Sequence, residues 1–532
     1  MTLRVYLYLF LLGLAVILCV AAFQFAPGYM DADYYYAGGL RLAGGYGFSE
    51  LMLWNYLDDP HGLPHPSHAY WMPLASLLAG LGLKLFGTTG FAAARLPFLV
   101  LAAFLPPLSA ALSFSLTGRR EAAILAGLLA VFPVFYLPYL PTTDTFSLYM
   151  LLGFLWLQTA GYRVQDPTRL QSRLAILQPA ALGVIAGLMH LSRADGILWL
   201  LLSLAAVSSQ GPAIYNARNT FSRFTRCLLG YFLIMGPWLA RNLITYGVPL
   251  SPGGGRTLWI TGYDELYTYP AAFLTAQHWL NAGLGEILRA RLWAAGQNLQ
   301  TAFAVQGAVF LAPLIVLGMW RLRHDRRVQL GALAWLLTFL LMTLVFPYAG
   351  ARGGFFHSGA ALQLLFWAAV PAGLEAFITW GRQVRGWQAG QARRIFQAGL
   401  VGLALGLALV VAHRRVVGPD LALPVWNESA VRYARLEQAL HGLGAATGEA
   451  LLVNNPAGYF VVTGRPAIAI PYGDEAALLA VAGRYQARYL LLEMNQVQGA
   501  DELFFTPGER NGLRYLGTFE QIRVFRIEEK RK

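Results

Sequence analysis

Charge is what this 532-residue chain has least of: Asp, Glu, Lys and Arg make up 13% of it, against 57% hydrophobic residues. Soluble domains carry about 25% charged residues, nearly twice as many, so an ordinary globular protein is excluded. Apolar runs of helical length recur instead, and about 20 such residues cross a hydrocarbon core of about 30 Å. The chain reads as a polytopic membrane protein. Cysteine is nearly absent as well: Cys19 and Cys227 are the only two, which rules out a disulfide framework and a cysteine-based metal site. Internal repeats and low-complexity segments are lacking, and with them the repeated halves common among transporters.

The net charge of +13 does not describe a basic domain. Lys and Arg fall in short segments between apolar runs, so nucleic acid is not an expected partner. Arg119, Arg120, Arg163, Arg169, Arg173, Arg218, Arg223, Arg226, Arg321, Arg323, Arg326, Arg327, Arg382, Arg385, Arg393 and Arg394 all belong to one alternate set of loops. By the positive-inside rule these loops are cytoplasmic and the opposite set faces outward. About eleven or twelve spans are expected, at 5–26, 91–116, 121–140, 145–160, 174–191, 195–209, 227–246, 301–320, 329–347, 357–379 and 395–412, with 70–86 in doubt. Val20-Ala21-Ala22 mimics a signal cleavage site, but the first run exceeds a signal core and many spans follow, so it is read as retained. Parity of the loops leaves no room for one complete crossing at 70–86, which predicts a re-entrant or interfacial helix there, or a second crossing hidden in 48–60.

The expected fold class is mainly α: a transmembrane helical bundle over 1–419, with a first outer loop at 27–90 and a long outer loop at 247–300. From about residue 420 the texture turns soluble. ALLVNN and ARYLLLE read as strands, DEAALLAVAGRY as an amphipathic helix and GLRYLGTFEQIRVFRI as a hairpin, giving a small α/β domain at 420–532, expected outside.

Polar groups gather on the outward side. Asp31 and Asp33 of MDADYYY leave the first span there, as do Asp144 of PTTD, His190, Arg193 and Asp195 of HLSRAD, Arg241 and Asn242 of ARN, and Arg352 and His357 of ARGGFFH. Ionisable residues at span ends are costly unless they face a cavity or one another, so their concentration on one face marks a functional site. Carboxylates beside arginines at headgroup depth suit one chemistry in particular. Arg holds the phosphate of a lipid-linked sugar and stabilises it as it leaves, while an aspartate deprotonates an acceptor hydroxyl that attacks the anomeric carbon.

At these residues the chain resembles the GT-C membrane glycosyltransferases, in the group of protein O-mannosyltransferases and aminoarabinose transferases. The likeness runs from Asp31 to Tyr35 in DADYYYAGGLRLAGG through WMPLASLLAGLGLKLFG, AAARLP, LTGRR, PTTDTF, HLSRADG and GPWLARNLITYGVPLSP, covering roughly 1–260. The resemblance implies a polyprenyl-phosphate sugar donor, transfer with inversion at the outer membrane face, and a catalytic aspartate at Asp31. The acceptor is a lipid, a glycan or a protein. The chain departs from the family in two places: Asp-Ala-Asp replaces the usual Asp-Glu, and HPSHAYWMP replaces a proline pair. Asp33, Tyr35, His65, His68, Asp144, Arg193, Arg241, Arg352 and His357 are the candidate substrate-binding residues. No cofactor is required by this chemistry, and a divalent metal on Asp31, Asp33 and Asp144 stays open as an addition. The plasma or inner membrane is the expected location. A transporter or lipid flippase, with the same charges lining a substrate path, is the alternative of another class.

Overall fold

The structure, a computed structural model, describes residues 2–162, 169–208, 217–495, 497–510 and 512–528; of 169–175 and 217–219 only the backbone is described. Arg163 of the basic loops therefore lies outside the described residues, and the side chains of Arg169, Arg173 and Arg218 do too. The chain forms two compact units. One comprises Met1–Phe23, Pro97–Pro249 and Arg291–Val416; the other comprises Gln24–Leu96, Leu250–Ala290 and Val417–Lys532.

The first unit is helical because apolar segments without water must pair every backbone N–H and C=O internally. Among the described residues, six helices are long and apolar enough to cross a membrane: Leu3–Ala21, Leu96–Thr117, Thr220–Tyr246, Arg326–Val345, Pro347–Arg385 and Ala389–Val417. Shorter apolar helices at Phe146–Gly161, Ile176–Ser192, Ala194–Ser208 and Ala312–Arg321 lie beside them in sequence. The protein is an integral multi-pass membrane protein. Helices pack through small residues, as bilayer-embedded helices do. A Cβ on Gly318 would stand 2.0 Å from the Ala369 carbonyl oxygen, and one on Gly373 would stand 2.0 Å from that of Leu314, so each helix admits the other's backbone.

The second unit is an α/β structure assembled from three separate stretches of chain. Its six-stranded sheet comprises β1 (Met52–Leu53), β2 (Ala450–Val453), β3 (Ala467–Ala469), β4 (Ala487–Leu492), β5 (Leu513–Phe519) and β6 (Ile522–Ile527), in spatial order β1-β3-β2-β4-β6-β5. The first four strands are parallel and the β5–β6 hairpin is antiparallel. Both faces are covered, which is why ALLV and YLLL are continuous apolar runs. On β4 the side chains alternate: Tyr489 and Leu491 join Tyr433, Leu436 and Val524 on one face, while Leu490 and Leu492 join Leu478, Val481 and Phe525 on the other. The hairpin and the strand and helix expected from ARYLLLE and DEAALLAVAGRY are present.

The unit is wider than residues 420–532, since β1 comes from the first connecting loop and Met52 and Leu53 pair with Ala467 and Ile468. The long loop joins as well: the Tyr472 N–H donates to the Tyr267 carbonyl at 2.9 Å, and the Ala271 N–H donates to the Asp59 carboxylate at 3.1 Å. Leu74–Phe86, the segment in doubt, is a 13-residue helix of this unit. At 1.5 Å per residue it extends about 20 Å, less than a crossing requires.

Candidate functional site

In the α/β unit the acidic motif opens a helix, Met30–Ala43, with Asp31 and Asp33 in its first turn. Carboxylates favour that end, where the helix dipole is positive. Asp31 is half-buried, whereas Asp33 is 5% exposed and accepts a hydrogen bond from Asn455 Nδ2 at 2.9 Å. Burial pushes the Asp33 carboxyl up to about 7; the Asn455 amide pulls it down and the Asp31 charge adds to the rise. The two acids of one turn are thus differently placed, one reachable and one enclosed.

The tyrosines that follow are core. Tyr34 and Tyr35 are each 2% exposed, and the Tyr34 ring lies 4.8 Å from that of Trp71, which stacks on Trp54 at 4.1 Å. Tyr35 packs edge-on to Tyr34 at 6.0 Å. His68 closes this aromatic floor. Its N–H donates to the Tyr34 hydroxyl at 2.8 Å, and its ring nitrogens meet the Ser67 and Ser76 hydroxyls at 2.7 and 3.0 Å. His65 is also buried, with Nε2 2.6 Å from the Asp58 carboxylate.

In the helical unit, two acids converge on one short helix, Phe355–Gly359. Asp144 lies 3.0 Å from His357 Nε2, and Asp195 accepts from the Ser358 hydroxyl at 2.6 Å. His357 holds both ring nitrogens against acceptors, since Nδ1 is 2.9 Å from the Gly353 carbonyl, and its ring stacks on Phe146 at 4.2 Å. Arg193 pairs with Asp195 at 3.0 Å and keeps 15% of its side chain exposed. Arg352 precedes this helix in a kinked segment where Gly353 takes φ 127°, a conformation open to glycine. Arg241 lies over the rings of Trp238 and Tyr246 at 4.8 and 4.9 Å, with Asn242 Oδ1 accepting from it at 3.0 Å. The structure therefore joins Asp144 to His357 and ties Arg193 to their neighbour Ser358 through Asp195. Chemically, this is a set of paired charges enclosed in an apolar bundle, where each ionisable group is costly and marks a functional site.

Sequence reasoning missed Ser358 and Asn455 as site residues. A serine beside a histidine carries no signal of its own, and Asn455 before proline signals only a turn or a helix cap.

No family model matches the chain, and no curated protein matches it by sequence. Solved structures do match. The aminoarabinose transferase ArnT of Cupriavidus metallidurans, bound to undecaprenyl phosphate, aligns over 99% of this chain and 98% of its own, with TM-score 0.57 and 12% identity. The chain has the GT-C fold. The oligosaccharyltransferase of Archaeoglobus fulgidus, in complex with Zn and sulfate, has it too, with TM-score 0.57 and 13% identity over 93% of this chain and 68% of its own. Archaeal oligosaccharyltransferase AglB from Archaeoglobus fulgidus, with an inhibitory peptide and a dolichol-phosphate, gives TM-score 0.52 at 14% identity over 91% and 69% of the two chains. At such identities the likeness is one of fold, and residue roles rest on this chain's own geometry.

Proposed function

We propose that the protein is an inverting glycosyltransferase that moves a sugar from a polyprenyl-phosphate donor to a lipid, glycan or protein acceptor at the outer face of the plasma membrane. The observation that carries this reading is a reachable carboxylate, Asp31, on the helix that directly follows the first apolar helix, in a chain whose fold matches ArnT along nearly its whole length. That ArnT was solved with undecaprenyl phosphate supports a donor of this class.

Asp31 is assigned as general base. It takes the proton of the acceptor hydroxyl as the oxygen attacks the anomeric carbon, and the bond to the phosphate oxygen breaks on the opposite face, inverting the centre. The polyprenyl phosphate departs as an anion, so no general acid is needed. Arg193, Arg241 and Arg352 are assigned to that phosphate, where a guanidinium stabilises charge that grows in the transition state. Asp144 and His357 hold the short helix that follows Arg352 and thereby keep the arginine loop in place.

A divalent cation is a separate question. Asp144 and His357 of the helical unit offer one carboxylate oxygen and one imidazole nitrogen, donors such a cation accepts. Every step above is assigned to side chains of this chain.

The test is sugar release from a panel of radiolabelled polyprenyl-phosphate sugars by purified protein, beside Asp31→Asn, with and without divalent cation. Release by the native protein alone is expected. Equal release by both proteins removes Asp31 from the chemistry, and no release from any donor with a membrane extract as acceptor source favours the transporter reading.

A further inference from the structure

The segment that carries Asp31 is held at both ends by residues from the C-terminal part of the chain. At its start, the backbone N–H groups of Phe25 and Ala26 donate to Asn427 Oδ1 at 2.8 and 3.2 Å, and Trp426 Nε1 donates to the Ala26 carbonyl at 3.1 Å. A Cβ at Gly28 would stand 2.2 Å from Trp426 Nε1, so the chain passes directly over that indole. At its end, Asp33 N–H closes the first turn on the Tyr29 carbonyl at 2.9 Å, and the Asp33 carboxylate takes the Asn455 amide at 2.9 Å. Asp31 lies between the two clamps.

The second clamp is built with care for one atom. Asn455 follows β2, a strand with every residue buried, and caps the helix Pro456–Thr463 by accepting from the Gly458 N–H at 2.9 Å. With its oxygen committed to the cap, the amide nitrogen is the group left to face Asp33, and a flipped amide would set oxygen against carboxylate. The space is sized for that carboxylate as well. A Cβ at Gly458 would come 2.8 Å from Asp33 Oδ2 and 2.4 Å from Asn455 Nδ2.

We infer that Asn455 is a positioning residue for transfer: by gripping the enclosed Asp33 from a rigid strand end, it fixes the helical turn from which Asp31 works. This rests on the reading of Asp31 as general base. The C-terminal sheet then serves the acidic turn directly, whatever else it does for the acceptor, and Asp33 acts through its hydrogen bond rather than by touching substrate. Second-tier contacts of this kind are what hold a reacting group within about 0.5 Å of its working position.

The cap and the clamp can be separated. Asn455→Asp keeps an acceptor for the Gly458 N–H and, assayed well above pH 7 so that the enclosed Asp33 is ionised, removes the donor to it; Asn455→Ala removes both. The double variant D33N/N455D exchanges donor and acceptor and restores the hydrogen bond. All are assayed in full-length protein on a donor that the native protein uses, recording kcat, KM for donor and thermal melting. Asn455→Asp is expected to lose about ten- to a hundredfold in kcat, with donor KM and melting nearly unchanged, because misplacement of a reacting group by about 1 Å costs that much. Asn455→Ala loses the same activity and melting temperature besides, and D33N/N455D recovers most of the kcat. Native kcat in Asn455→Asp, or no recovery in the exchange variant, overturns the inference while leaving the glycosyltransferase reading intact. If the native protein turns over no donor, that reading falls first and takes this inference with it.

Discussion

The two units of this chain treat polar groups in opposite ways. In the helical unit many stand as small sets within apolar packing, such as Trp156 with Ser203 at 2.8 Å, Asn298 with Thr343 at 3.0 Å and Asp144 with His357 at 3.0 Å, while a denser set of Arg327 with Asp325, Ser115 and Gln158 gathers where a helix begins. In the α/β unit they join into networks. Arg465, with a side chain 0% exposed, meets Glu437 through Nε and Nη2 at 3.0 and 2.7 Å and donates to the Ala446 and Glu449 carbonyls, while Tyr459 donates to the same Glu437 at 2.7 Å. The difference follows from the medium. A charge among apolar helices has few neighbours able to satisfy it, so each survivor marks a task; a charge in a sheet domain finds partners readily, and most serve the fold.

Two substitutions sharpen that contrast within the α/β unit itself. Asp31→Asn should lower transfer by about 100- to 10,000-fold, the range for a general base, and leave the melting of the protein unchanged. Arg465→Met should do the reverse. It takes the guanidinium from Glu437, itself 12% exposed at the side chain and left with Tyr459 and His441, and removing one member of a buried pair costs about 3–5 kcal/mol. Pairing that change with Glu437→Leu should return much of the loss, because the buried charge that lost its guanidinium is then gone too. Calorimetry of the three variants checks this; a double variant no better than Arg465→Met would show that the network stabilises through its other bonds.

The same contrast explains what was legible in the sequence. In the helical unit rarity does the work: Asp144, Arg193 and His357 stand out because little else in their segments is charged, and the structure ties them to one short helix. In the α/β unit the local elements were readable from period and composition, down to the β5–β6 hairpin, whose turn residues Glu520 and Gln521 take positive φ of 46° and 70°. Long-range partnership was not. Asp33 and Asn455 are 422 residues apart, and neither the alternation of a strand nor the cap signal of Asn455 says which carboxylate its amide will meet. The short strand β1, two residues inside a loop rich in turn residues, has no pattern long enough to be recognised, although it sets the edge of the sheet. His65 and His68, candidates for the substrate, are instead buried, His65 against Asp58 and His68 among aromatic rings, and burial within a loop leaves no periodic trace in the sequence.

The smallest expected effect is one of pH, and it tests the α/β network through Glu437. Burial pushes the Glu437 carboxyl up, but the hydrogen bonds from Arg465 and Tyr459 outweigh it and hold the group below the ordinary carboxylate value of 4.5. A carboxylate whose pKa is lower folded than unfolded binds fewer protons in the folded state, so stability rises with pH across the interval between the two values. The contribution is complete above the unfolded value and is lost as pH falls through the folded one. Melting of the protein in detergent should therefore drop as pH falls below the ordinary carboxylate value of 4.5, and Glu437→Gln should flatten that part of the curve while leaving the neutral side in place. A drop of the same size in Glu437→Gln would assign the acid sensitivity to other carboxylates and would break the claim that this network contributes to the acid stability of the fold.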